Sequence, residues 1–392
     1  MARLRFFTSG ESHGKALSGT LEGIPANLSL SSAEIDNDLK RRQSGFGRGG
    51  RMKIEADHAD VISGVRWGKT IGSPITLLIE NRDHKNWLDG MSPDAGAKDS
   101  IPPVTRPRPG HADLSGAIKY DQHDIRNVLE RASARETAAR VALGAVAKKF
   151  LGEFGVRVGS YVEQIGNLKA EINGRGTGAK ELIEIFEQAE TSPVRCPDQD
   201  ITKRMVELIE GAMREGNSLG GVFKVFVTGV PAGLGSYIQW DRKLDGRLAQ
   251  ALMSIQAIKG VEIGAGLGMA SRFGSEVMDE IFRDPSGFYR KTNHAGGIEG
   301  GMTNGMPVTV RAAMKPIPTL RRPLTSVDII TKEPFEASYE RSDVCAVPAA
   351  SIVGEAMTAL VVADAFLEKF GGDTMEEVMR NYASYKEYVR QF

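Results

Sequence analysis

Cysteine is scarce in this chain: Cys196 and Cys345 are the only two among 392 residues. Two isolated thiols make neither a disulfide framework nor a zinc site, which takes about four clustered ligands, so both are expected to be reduced. Net charge is absent as well, since 50 lysines and arginines balance 50 aspartates and glutamates. No overall field then draws the molecule to nucleic acid or to an anionic membrane, and any anion site has to be local. No uninterrupted apolar run reaches the ~20 residues of a bilayer span, and residues 1–7 do not read as a secretory segment. The expectation is a cytoplasmic protein with no nucleic-acid and no membrane partner. Ser/Pro-rich linkers and low-complexity tracts are missing too, so residues 1–392 are expected to form a single domain. The loop GxxxxGK[ST] is absent, and residues 260–268 do not place GxGxxG between a strand and a helix, which disfavours both familiar nucleotide loops.

What the chain does have is glycine, 45 residues of it, concentrated at 45–50, 260–268 and 296–305. Such clusters let backbone approach a ligand closely. Around them the patterning predicts strands at 4–8 and 16–21, joined by the turn-forming GESHGK segment. Ser31 and Glu34 read as a capping box that starts a helix through Ile35 and Leu39, ending near Arg42. An alanine-rich periodic stretch predicts one helix over 128–154, suited to close helix packing. Strands are expected at 156–165, 222–230 and 308–313, with helices at 201–213 and 244–258. Residues 347–370 are apolar around most of a helix and must be buried, and an amphipathic helix follows over 375–388.

Two histidines stand in rigid, ligand-suited loops. His13 lies in GESHG with Ser12 before it, and imidazole titrates near neutrality, so it can give or take a proton. His111 lies in RPRPGHAD, where two prolines stiffen the approach and two arginines supply charge. His58, His84, His123 and His294 lack comparable context and read as surface or structural. Arg42, Arg48, Arg51, Arg106, Arg131, Arg135 and Arg341 all fall in or beside Gly-, Pro- or Ser-containing segments. Their planar forks suit phosphate and carboxylate, and convergence of several would imply a polyanionic substrate; each taken alone reads more readily as a solvated surface charge. The GGMTNG run at 300–305 and Lys315 through Thr319 offer backbone donors and a cation to a phosphate. Asp343, beside Arg341 and just before the apolar helix, is either a perturbed carboxylate or a helix cap.

Taken in order, these segments resemble the chorismate synthase family from end to end. The resemblance is carried by GESHG (10–14), RRQSGFGRGGRM (41–52), RPGHAD (108–113) and ERASARETAAR (130–140). IQAIKGVEIG (255–264), GGIEGGMTNG (296–305), RAAMKPIPT (311–319) and RSDVCAVPA (341–349) continue it. It implies an α+β fold, a single-domain β-α-β sandwich with a helical core between two antiparallel sheets, assembled as a homotetramer. It implies conversion of 5-enolpyruvylshikimate 3-phosphate to chorismate by a lyase that needs reduced FMN (FMNH2). The reaction is an anti-1,4 elimination of the 3-phosphate and the C6 pro-R hydrogen, in the shikimate pathway of aromatic amino-acid biosynthesis. His13 is then similar to the acid assisting phosphate departure, His111 to the histidine protonating reduced flavin near N1, and Asp343 to the group acting through N5. Ser12 and Ser133 support that relay, while Arg42, Arg48, Arg51, Arg135 and Arg341 clamp substrate anions. The implied flavin contacts are Arg131, Ala132, Ser133, Gln256, Ala257, Gly300, Lys315, Pro316, Ile317, Pro318, Thr319 and Arg341. Two departures are local: Leu114 stands where the family often has tyrosine, and Pro318 removes a backbone donor from the flavin-phosphate region. Whether the chain also reduces its flavin with NADPH stays open, as does a noncatalytic flavin or phosphate carrier, which would need the arginines but not His13, His111 and Asp343 together.

Overall fold

The computed structural model describes residues 3–48, 55–172, 178–285, 287–322, 324–337 and 342–392. The chain opens with strands β1 (Arg5–Ser9) and β2 (Ala16–Glu22), then helix α1 (Ser32–Gln43). Strands β3 (Asp60–Ser63), β4 (Val65–Arg66), β5 (Lys69–Thr70) and β6 (Ile75–Glu80) follow. Helices α2 (Asp113–Tyr120), α3 (Arg126–Ala132) and α4 (Thr137–Gly152) lead to β7 (Arg157–Ile165) and β8 (Leu168–Lys169). Next come α5 (Ala179–Glu190), α6 (Gln199–Arg214), β9 (Gly221–Thr228), α7 (Leu244–Met253), β10 (Ile258–Ile263) and the single turn α8 (Gly274–Val277). The ribbons β11 (Ile281–Asp284) with β12 (Gly287–Arg290) and β13 (Ile298–Glu299) with β14 (Met302–Thr303) precede β15 (Val308–Met314). A last ribbon, β16 (Thr325–Val327) with β17 (Pro334–Glu336), comes before α9 (Val347–Phe370) and α10 (Met375–Gln391).

Helix and sheet are thus mixed. One antiparallel sheet has the order β1-β2-β6-β3, and a second has β10-β15-β9-β7-β8. The alanine-rich α4 packs on β2 and β6 of the first sheet, α9 packs on β7 and β9 of the second, and α4 and α9 pack on each other. Small residues permit that approach: a Cβ added at Gly144 of α4 would lie 2.3 Å from Ala356 Cβ, and one at Gly19 of β2 would lie 3.0 Å from Leu143. The expected capping box is present, with Ser31 Oγ accepting from Glu34 N–H and Glu34 Oε2 accepting from Ser31 N–H. α9 is long and apolar enough to cross a membrane, yet 94% of its apolar window is buried inside the protein, so it serves as the core helix.

Two expectations need correction, and one helix was not foreseen. The helix foreseen over 128–154 is two helices, α3 and α4, parted at Ser133, whose backbone is extended (ψ 142°) and whose Oγ accepts from Arg135 N–H. Serine offers the backbone this local alternative to helix, and here it ends one helix. The helix foreseen over 244–258 stops at Met253, because Ile258 already pairs with Met314 in the second sheet. α5 was not foreseen, although Leu182, Ile185 and Ala189 bury one face of it.

Candidate active site

His13 sits on the loop between β1 and β2, clamped from α3. Its backbone N–H donates to Glu130 Oε2 at 2.7 Å, and its Nδ1 lies 2.7 Å from Glu130 Oε1. Ser12 N–H donates to the Glu130 carbonyl (3.1 Å), and Ser133 Oγ donates to Ser12 Oγ (3.1 Å). The Trp87 ring lies 4.4 Å from the imidazole, and His84 Nδ1 donates to the His13 carbonyl at 2.9 Å. Asn81, just past β6, secures the loop by donating to the carbonyls of Glu11 and Gly14. The break at Ser133 is therefore what carries a hydroxyl to Ser12.

Next to this loop is an arginine cluster. Arg135 donates from Nε to Asn81 Oδ1 (2.9 Å) and from Nη1 to Asp57 Oδ1 (2.6 Å). Arg42, at the end of α1, donates to Thr137 Oγ1 and the Ala134 carbonyl. Its Nη1 stands 3.6 Å from Asp57 Oδ2 and is buried with no hydrogen bond among the described residues. Burial pushes the Arg42 guanidinium down to about 10; Asp57 and Asp343 oppose the fall, while Arg135 and Arg48 add to it. Arg48 Nη1 in turn lies 2.8 Å from Asp343 Oδ2. Three cations and two carboxylates from distant parts of the chain thus share one field. Arg51 and Arg341 lie outside the described residues.

His111 belongs to a second network. Its Nδ1 meets Asp113 Oδ1, while Arg108 donates to Asp113 and, at 3.1 Å, to Thr319 Oγ1. Burial works against the Asp113 charge, but His111 and Arg108 outweigh it and hold the carboxyl well below the usual carboxylate range. Lys315 Nζ donates to the Gly110 carbonyl, and Ser218 Oγ donates to the Ile317 carbonyl. Ser342 Oγ donates to the Thr319 carbonyl, so this network reaches the residue next to Asp343. Pro316 and Pro318 complete the segment. Arg106 is turned elsewhere, 3.7 Å from Asp328 and over the Phe335 ring.

Gln256 donates to Glu136 Oε2, which also receives Arg140, and Arg131 donates to the carbonyls of Thr8 and Gly10 beside it. Ala132 ends α3, and Ala257 has φ +66°, a conformation that suits glycine better. Gly300 lies in the turn between β13 and β14, whose neighbours are tied to Leu234 and Leu244. Leu114, on α2, is half exposed.

Several contributors escaped the sequence reading: Glu130, Asp57, Asn81, Trp87 and Asp113. Glu130 and Asp113 lay inside the singled-out segments and differed from ordinary helix carboxylates only in burial; the others carried no local signal. His84, read as surface or structural, supports the His13 loop. Among the described residues no cluster of His, Cys, Asp or Glu could hold a metal ion. A depression between α5 and α6, lined by Gln188, Ser192, Cys196 and Thr202, contains none of the candidate residues, and the polar chemistry lies instead at the arginine cluster.

The donor set fits a flavin nucleotide. Gln256 Oε1 is buried and has no hydrogen-bond partner among the described residues, leaving an acceptor for a ring N–H. Lys315 and the Thr319 hydroxyl supply a cation and a donor of the kind a phosphate needs.

The family model described as chorismate synthase matches residues 4–367. Curated proteins named chorismate synthase are similar throughout: one from Aquifex aeolicus (strain VF5) is 59% identical over 393 residues, covering 99% of each chain. Another, from Geobacter sulfurreducens, is 58% identical, covering 99% of this chain and 100% of its own. A solved structure described as the crystal structure of chorismate synthase superposes with a TM-score of 0.82 at 49% identity, covering 100% of both chains.

Proposed function

This chain belongs to the chorismate synthase family, and we propose that it converts 5-enolpyruvylshikimate 3-phosphate to chorismate by a reduced-FMN-dependent anti-1,4 elimination of phosphate. The activity is that of a carbon–oxygen lyase of the shikimate pathway. The observation that carries this reading is the shared field of Arg42, Arg48 and Arg135 beside the His13 loop, suited to a substrate with a phosphate and two carboxylates.

The three arginines, with Arg51 and Arg341, orient the substrate through its anions, and Arg42 Nη1 is a buried donor that makes no hydrogen bond among the described residues and that such an anion would satisfy. His13 gives its proton to the departing phosphate oxygen. Ser12 and Ser133 hold the His13 loop through their mutual hydrogen bond. His111, oriented by Asp113, holds a proton on the flavin side, and Asp343 would act through the N5 side of the flavin. Arg131, Ala132, Ser133, Gln256, Ala257, Gly300, Lys315 to Thr319 and Arg341 would hold the flavin. When bound, reduced FMN supplies electron density to the substrate and regains it, with no net redox change.

A layered arrangement, with helices between two antiparallel sheets, is supported by α4 packing on one sheet and α9 on the other. A single domain is supported by one buried apolar cluster that runs from Leu4 to Tyr382. We assign the protein to the cytoplasm and to a homotetramer on family resemblance. NADPH as reductant is the open addition. Anaerobic assays with chemically reduced FMN, and separately with oxidised FMN plus NADPH, test the whole reading. Turnover only with reduced FMN marks an enzyme dependent on an external reductant, turnover in both adds flavin reductase activity, and turnover in neither returns the chain to a carrier role.

A further inference from the structure

Glu130 is a glutamate in the last turns of a short helix, yet its side chain is 1% exposed and both of its oxygens face the same residue. Oε2 accepts the His13 backbone N–H at 2.7 Å, and Oε1 lies 2.7 Å from His13 Nδ1. The Glu130 carbonyl accepts Ser12 N–H as well. One residue therefore grips the loop by its main chain and the imidazole by its side chain.

The rest of the cage limits what the ring can do. Trp87 lies 4.4 Å from the imidazole, and the Arg126 guanidinium stands 4.8 Å over that indole. Arg126 Nη1 is 3.6 Å from the same Glu130 oxygen that faces Nδ1, so Oε1 is presented to a cation and acts as an acceptor. On the other side of the ring, Asp83 Oδ2 is 3.9 Å from Nε2, beyond hydrogen-bond distance. Carboxylate oxygens accept only, so the ring nitrogen facing Glu130 has to carry hydrogen.

We propose that Glu130 is a positioning residue that fixes a proton on His13 Nδ1 and thereby makes Nε2 the atom that exchanges with the substrate. This rests on the reading of His13 as the acid for phosphate departure. As the C–O bond breaks, its electron pair goes to the phosphate oxygen and the Nε2 proton goes with it. The ring is left neutral with hydrogen on Nδ1, still bound to Glu130, and Nε2 regains its proton from solvent. A tautomer fixed in advance removes one rearrangement from each turnover.

The test is nitrogen-15 NMR of the full-length protein labelled at histidine, recorded at about pH 9, above the ordinary imidazole range. The His13 signals are assigned by their loss in His13→Ala. The expected result is a protonated, pyrrole-type Nδ1 and an unprotonated Nε2. In Glu130→Gln the amide oxygen must serve the His13 backbone N–H, leaving its NH2 to face Nδ1, so the tautomer is expected to reverse. kcat should then fall about 10- to 100-fold with the substrate KM within about threefold, the signature of lost proton transfer. Glu130→Asp keeps a carboxylate and should keep hydrogen on Nδ1, which preserves the test if the glutamine variant folds poorly. Hydrogen on Nε2 in the wild-type protein, or Glu130→Gln turning over at the wild-type rate, overturns the proposal. A wild-type protein that makes no chorismate defeats the functional reading instead, while the tautomer still decides the role of Glu130.

Discussion

The guanidinium of Arg48 and the carboxylate of Asp343 stand 2.8 Å apart, joining the Gly-rich loop after α1 to the segment that enters α9. A proposed anion clamp and a carboxylate proposed to act through the flavin therefore restrain each other. Arg48→Ala is expected to weaken substrate binding by roughly 1.5–3 kcal/mol, the worth of a charged hydrogen bond, with a smaller effect on kcat. Equilibrium titration of substrate checks this, and wild-type affinity would remove Arg48 from the clamp.

His13→Ala should divide the other way. Loss of the proposed acid is expected to lower kcat by roughly 10- to 10³-fold while substrate binding weakens less. Steady-state kinetics with saturating reduced flavin measures both, and an unchanged kcat excludes His13 from proton transfer.

Much of this candidate site is legible in the sequence, and the limits are physical. GESHG and RPRPGHAD each allow a bland turn when read alone; they stand out through their order among the other segments that resemble the family. Glu130 had no such mark, since a glutamate in a helix usually faces water; only the fold shows both of its oxygens turned to His13. Asp57 and Asn81 meet Arg135 across the folded chain, and sequence periodicity does not encode such pairings. The split at Ser133 was missed because alanine-rich neighbours favour helix on both sides, and one serine hydroxyl decides against it. α5 is a different case: Leu182, Ile185 and Ala189 carry helical spacing that was there to read.

Glu355 of α9 is fully buried, with Arg41 Nη1 and Lys148 Nζ each 2.8 Å from Oε2 and Ser160 Oγ donating to Oε1. Burial alone would push its carboxyl up; Lys148, Arg41 and Arg195 outweigh it and hold the carboxyl well below the usual carboxylate range. A depressed folded value stabilises the protein above the unfolded value, and that stability is lost as pH falls toward the folded one. Glu355→Ala strands buried cations and is expected to cost about 3–5 kcal/mol at neutral pH. The deficit should narrow between about pH 5 and 3, as protonation of the unfolded carboxyl erodes the wild-type advantage. Urea titrations across that window measure it, and a deficit constant with pH contradicts the linkage.

Gly144→Ala sets two effects against each other. Alanine gains about 1 kcal/mol of helix propensity, but its Cβ would lie 2.3 Å from Ala356 Cβ across the α4–α9 contact. Overpacking of that kind costs about 1–3 kcal/mol, and neither helix backbone can yield as a flexible side chain would. The melting temperature should therefore fall, and a rise would mean that α4 and α9 part without penalty.

The central claim is a phosphate elimination that requires reduced flavin and does not consume it. The measurement is the number of chorismate molecules formed per reduced FMN under strict anaerobiosis, with the flavin absorbance followed throughout and no other reductant present. We expect many turnovers per flavin, with the flavin still reduced at the end and no turnover with oxidised FMN alone. One oxidised flavin per chorismate formed, or equal turnover with oxidised FMN, would contradict the account.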